Sequence, residues 1–237
     1  MQTSNFIGEL MGTLVLILLG DGVVANVLLK GSKGENGGWI VVTAGWAFAV
    51  MCGIFVAQKL GSSAAHLNPA ITIALAVKAN DWSNVIPFIS AQLIGAFLGA
   101  VLVWAVYFPH WSITEDKGTK LGVFATAPAI RNPLSNVISE VIGTMVLVIA
   151  SSSFYSTAES GNGPLLVGFL VWSIGLSLGG PTGYAINPAR DLGPRIAHAI
   201  LPISGKGTND WGYAWVPIVG PIIGGVLAAL FLLVFKI

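Results

Sequence analysis

The chain has 237 residues and only 21 charged side chains, 11 basic and 10 acidic, or 9% of the sequence. Soluble domains carry about 25%, and with 54% hydrophobic residues this chain cannot cover an apolar core with a charged surface. A soluble globular domain and a disordered segment are therefore excluded, and an integral membrane protein remains. A net charge of +1 gives no basic field for a nucleic acid. The single cysteine, Cys52, permits no intrachain disulfide and no cysteine metal cluster, and it reads as a buried small hydrophobe.

A spanning helix needs about 20 mainly apolar residues. Six stretches qualify: 6–29, 39–60, 84–107, 134–155, 164–181 and 213–235. The first has no basic segment ahead of it and is long enough to stay in the bilayer, so it reads as a span and not as a cleaved signal. Turn-forming runs separate the stretches, such as Lys30-Gly31-Ser32-Lys33-Gly34 and Glu159-Ser160-Gly161-Asn162-Gly163-Pro164. The polar segment 109–133, with Glu115, Asp116, Lys117, Lys120 and Arg131, reads as a linker between two halves, 1–108 and 134–237.

Two shorter apolar pieces, 69–79 and 188–200, each cover only about 15–20 Å, half of a hydrocarbon core. Each follows the same tripeptide, Asn68-Pro69-Ala70 and Asn187-Pro188-Ala189. Asn is a strong helix N-cap and Pro is favoured at the first helical position, so both tripeptides predict helix starts. The halves also repeat in sequence. Residues 5–16 and 136–147 agree at seven of twelve positions, among them Glu9 with Glu140 and Gly12 with Gly143. An odd number of spans per half makes the second half enter from the opposite face. The expected fold is all-α, with six transmembrane helices and two re-entrant half-helices in an inverted repeat.

In that arrangement the half-helix N-termini meet near the midplane. The segments before them hold non-helical backbone, tolerated at membrane depth only where it is buried or lines a wet cavity. Backbone at Ala64, Ala65, His66, Gly183 and Ala185 is then expected to line a passage, with the Asn68 and Asn187 amides as central donors. Helix dipoles add positive ends at the same place. A passage with that polarity rejects cations, and no charge ring offsets the Born cost of about 20 kcal/mol for a bare ion. Uncharged hydroxylic solutes fit it.

Two Asn-Pro-Ala boxes with these flanks, Ala65-His66-Leu67-Asn68-Pro69-Ala70 and Gly183-Tyr184-Ala185-Ile186-Asn187-Pro188-Ala189-Arg190-Asp191, resemble the major intrinsic proteins, the aquaporins and glycerol facilitators. The resemblance covers essentially the whole chain. It implies a selectivity filter of Trp46, Gly175, Tyr184 and Arg190, with Trp46 preferred over Phe48 for the second-span position. Asp191 after Arg190 is similar to the glycerol-conducting branch. Tyr184 stands where that branch usually has Phe, and its hydroxyl is expected to add polarity to the filter. Glu9 and Glu140 are expected to brace the re-entrant loops by accepting from backbone N–H groups. Asp21, between Gly20 and Gly22, reads as a structural carboxylate ahead of a substrate ligand. His66 is expected to face the passage with its carbonyl.

The resemblance further implies a multi-pass protein of the cell membrane, a homotetramer in the lipid bilayer, and a passive channel without cofactor or metal. Glycerol-type polyols and water are the expected solutes, with urea and protonated lactic acid as alternatives. A coupled secondary transporter shares the broken-helix plan but lacks an acidic coupling site here. An enzyme is not expected, because no base stands near a nucleophile.

Overall fold

The computed structural model describes residues 2–155 and 161–236. The turn expected at Glu159 and Ser160 lies outside the described residues. Ten helices follow in chain order: α1 (Gln2–Leu28), α2 (Trp39–Lys59), α3 (Pro69–Ala79), α4 (Val85–Val106), α5 (His110–Ile113), α6 (Lys117–Phe124), α7 (Pro133–Tyr155), α8 (Gly163–Leu178), α9 (Pro188–Ile200) and α10 (Val216–Phe235). No strand occurs among the described residues. Five of these helices, α1, α2, α4, α7 and α10, are long and apolar enough to cross a membrane.

The stretch 164–181 differs from a full-length span. Helix α8 has 16 residues and ends at Leu178. It rises about 24 Å, short of a core of about 30 Å. The Gly179-Gly180-Pro181 run stops it, since glycine and proline punctuate helices. Segment 109–133 also differs from a plain linker. Asp116 caps α6 by accepting from the Thr119 N–H at 2.6 Å, and Leu121, Val123 and Phe124 are buried. That helix packs on α1 and α9.

The two short helices begin where their caps predict. Asn68 and Asn187 are extended, with φ of −157° and −153°. Each side-chain oxygen accepts from the N–H two residues on, at 2.9 Å for Ala70 and 3.0 Å for Ala189. Helix α3 ends at Asn80, which takes a left-handed φ of 51°, a conformation Asn tolerates better than most residues.

The contacts repeat between the halves. Helix α1 packs on α2 and α4, and α7 packs on α8 and α10. The short helices cross over: α3 lies on α10 and α9 on α4, while α2 meets α8. Small residues make the closest approaches. A Cβ at Gly95 would stand 2.2 Å from the Leu10 carbonyl oxygen, and one at Gly224 2.5 Å from that of Val141. These positions need glycine so that backbones can touch. Cys52 is a correction to the sequence reading, because it is exposed. It shares the outer face of α2 with Phe48 and Phe55, one turn to either side.

Candidate functional site

The two half-helices meet through their caps. Asn68 Nδ2 donates to the Ile186 carbonyl at 2.8 Å, and Asn187 Nδ2 donates to the Leu67 carbonyl at 2.8 Å. Each amide oxygen is committed to its own helix N-terminus. A primary amide has two N–H groups. One fixes the opposite loop, and one per Asn is left to donate elsewhere. The sequence reading had both amides serving as donors without this cross-link.

The loops before the caps hold an unusual backbone. Ala65, Leu67, Tyr184 and Ile186 have φ of 43°, 51°, 39° and 42°, in the left-handed region that side chains disfavour. Such residues persist only where surroundings over-determine them, and two buried carboxylates do so here. Glu9 accepts from the N–H groups of His66 and Leu67, both at 2.8 Å. It also accepts from Ser62 Oγ at 2.7 Å and Gln92 Nε2 at 2.8 Å. Glu140 accepts from the N–H groups of Ala185 at 3.0 Å and Ile186 at 2.7 Å. The His66 ring is turned aside, with Nδ1 3.1 Å from Thr72 Oγ1 and its face near Phe88.

A cavity of about 450 Å³ runs along these loops. Ala64, Ala65, His66, Asn68, Gly183, Tyr184, Ala185 and Asn187 line it, opposite an apolar wall that includes Leu16, Ile54, Val167 and Val171. Lys78, Ser151 and Ser152 also border it. A second cavity shares four lining residues with it: Trp46, Gly183, Tyr184 and Arg190. Those four form the waist between the two spaces.

At the waist, the Arg190 guanidinium lies over the Trp46 ring, 4.1 Å from its centroid. Its Nη1 donates to the Phe124 carbonyl at 3.3 Å and to Asp21 Oδ1 at 3.4 Å. Trp46 is buried against α1, where a Cβ on Gly20 would fall 2.2 Å from the ring. Phe48 is exposed on the outer face instead. Gly175 borders neither cavity but stands behind Tyr184. A Cβ there would be 2.8 Å from Tyr184 Cζ, and one on Gly179 would be 2.5 Å from Cδ1. The two glycines thus make a notch for the tyrosine ring. Trp39 closes it, donating from Nε1 to the Gly175 carbonyl at 3.0 Å and meeting Tyr184 edge-on. The Tyr184 hydroxyl is buried in this notch without a partner among the described residues. The ring, and not the hydroxyl as the sequence suggested, faces the waist.

Several participants escaped the sequence reading. Trp39 and the Phe124 carbonyl gave no signal in one dimension. Arg195, on α9, is fully buried. Its Nε and Nη2 bind Asp191 at 2.8 and 3.1 Å, and Nη2 reaches the Thr126 carbonyl at 2.9 Å. The spacing of Asp191 and Arg195, four apart on a helix, was the available clue. Asp191 also accepts from the Thr126 N–H and hydroxyl at 2.7 and 2.6 Å, so it anchors the waist without facing it.

The sequence model of the family described as "Major intrinsic protein" matches residues 2–232. A Thermotoga maritima protein described as a probable glycerol uptake facilitator is 57% identical over 228 residues, covering 95% of this chain and 97% of that protein. Glycerol uptake facilitator protein 3 of Lactiplantibacillus plantarum is 54% identical over 228 residues, with 95% and 94% coverage. Among solved structures, the aquaglyceroporin from Plasmodium falciparum superposes with a TM-score of 0.82 at 32% identity, covering 98% of this chain and 96% of that one.

Proposed function

The chain belongs to the major intrinsic protein family, and from that premise we propose that it is a passive channel for glycerol-type neutral solutes in the cell membrane, with water as a second permeant. The observation that carries this reading is the waist itself. A cation donor and two aromatic rings border both of two neighbouring cavities, and two crossed Asn caps line the first of them. The family is one of channels.

The mechanism follows from the two unlike walls. A polyol has hydroxyls along one edge and C–H groups along the other. At the waist the Trp46 and Tyr184 rings take the C–H edge, and the free donors of Arg190 take the hydroxyls. Farther in, Leu16, Ile54, Val167 and Val171 continue the apolar wall. The loop carbonyls, with one N–H from each Asn, replace the water that the solute has shed. Donors and acceptors are thus matched for a neutral solute. A bare ion keeps a Born cost of about 20 kcal/mol, and the half-helix N-termini oppose a cation directly. An inverted repeat accounts for the way the two caps meet, and a homotetramer with one passage per subunit is the assembly we propose.

The test is light scattering by proteoliposomes in a glycerol gradient. Glycerol equilibrates faster than in empty vesicles, with no dependence on sodium, proton gradient or voltage. A requirement for any of these would overturn the channel reading.

A further inference from the structure

We infer that Asp21 is a specificity-determining residue of the waist, which cancels the charge of Arg190 so that the guanidinium serves neutral hydroxyls and does not hold small carboxylates. The inference rests on the channel reading above and concerns the same site.

Asp21 sits in the last third of α1 and is completely buried. Its Oδ1 is 3.4 Å from Arg190 Nη1, while Oδ2 has no partner among the described residues. A carboxylate that served only to hold a helix together would be expected to use both oxygens, as Glu9 and Asp191 do. Asp21 instead spends its one contact on the waist cation. Among the described residues, no other acid is within ion-pair distance of Arg190. Asp191, the next residue after Arg190, is bound in two places by Arg195 and twice by Thr126. Asp21, Arg190, Asp191 and Arg195 therefore divide into two neutral pairs, one structural and one at the waist.

Neutrality there has a chemical consequence. A planar guanidinium presents a fork that matches a carboxylate bidentately. Unopposed, at a narrow place with low-dielectric walls, it would capture a small carboxylate in preference to an alcohol. A captured anion would plug the passage. With Asp21 behind it, Arg190 keeps its hydrogen-bond donors but loses most of its monopole. Hydroxyls, which need donors and not charge, are still served. Anions lose the Coulomb attraction. Gly20, the residue before Asp21, supports this placement, since its missing side chain lets the Trp46 ring, which carries the guanidinium, approach α1 closely.

The experiment measures glycerol entry into proteoliposomes at pH 7 against rising sodium formate, with sodium gluconate, too bulky for the waist, as the ionic-strength control. Wild-type flux is unaffected by formate. For Asp21→Asn, formate slows glycerol entry, with half-inhibition at a concentration at least about tenfold below the highest that leaves the wild type unaffected. Adding Arg190→Gln to Asp21→Asn removes the formate sensitivity, because the waist is neutral again. Equal formate responses in wild type and Asp21→Asn overturn the inference, which is also the outcome if Asp21 is already protonated. Thermal unfolding of the purified proteins gives a second readout that needs no conduction. Formate raises the Tm of Asp21→Asn and not that of the wild type; a rise in both, or in neither, overturns the inference. A wild type that passes no glycerol overturns the channel reading instead and leaves this thermal comparison to be judged by itself.

Discussion

Gly175→Ala tests whether the notch behind Tyr184 sets the width of the waist. The added Cβ would stand 2.8 Å from Tyr184 Cζ, 2.9 Å from its Oη and 2.9 Å from Thr43 Cγ2. Ordinary carbon contacts are about 3.5–4.0 Å, so the ring must retreat by about 0.6 Å or more. It cannot retreat along the helix, because Gly179 and Trp39 close that side. The open direction is the cavity. Overpacking of this kind costs about 1–3 kcal/mol. If a solute must push the ring back to pass, the same energy is added to its barrier, slowing glycerol about 5- to 150-fold. Water is smaller and slows less. Stopped-flow light scattering on proteoliposomes with matched protein content measures both rates, and the expected result is a lower glycerol-to-water ratio. Adding Tyr184→Leu, a flexible side chain, restores glycerol entry. An unchanged ratio in Gly175→Ala would refute the reasoning, because the ring would then have moved without narrowing the passage.

Glu9→Gln leaves one oxygen where two accept four hydrogen bonds, losing about two charge-assisted bonds at about 1.5–3 kcal/mol each. Its Tm falls more than that of Glu140→Gln, whose carboxylate accepts the two backbone bonds of its loop; a Tm equal to wild type for Glu9→Gln would show that the loop holds without it. Tyr184→Phe removes a buried hydroxyl that has no partner among the described residues. The glycerol-to-water ratio stays within about twofold and the Tm is equal or higher, since an unsatisfied buried group costs about 1–3 kcal/mol; a large loss of glycerol entry would place the hydroxyl against the solute.

What the sequence made legible was what repeats. The Asn-Pro-Ala starts of α3 and α9 were readable because capping is local, needing only Asn, Pro and an apolar run. The Glu9 and Glu140 positions were readable from the matched dodecamers, and the carboxylates do receive loop N–H groups. The short helices within segment 109–133 and the early stop of α8 were not, because hydropathy windows register length and apolarity but blur caps and breakers. Which face of α2 points inward was hidden as well. That helix is apolar all round, so its periodicity could not assign Trp46 to the waist or Cys52 to the outside.

Burial of the basic residues was hidden for a related reason. Basic residues at Lys30, Lys117, Lys120, Arg131, Arg195 and Lys206 look like solvated loop charges in one dimension. In the fold, Arg195 is fully buried on Asp191, Lys120 donates to the Ser204 carbonyl, and Lys206 donates to three carbonyls at the end of α9, those of His198, Ala199 and Leu201. Arg131 pairs with Asp210, and Lys30 with Glu35. A buried cation must find acceptors, and here they come mostly from backbone carbonyls that no motif encodes. The same logic reaches the waist. Arg190 could be named from its place after Asn187-Pro188-Ala189, but its counter-charge could not, because Asp21 lies 169 residues away on another helix. Two of the four ion pairs among the described residues are local, Lys30–Glu35 and Asp191–Arg195, and two join distant segments, Arg131–Asp210 and Asp21–Arg190. The chemistry of the passage depends on which of those pairs leaves donors free to meet a solute.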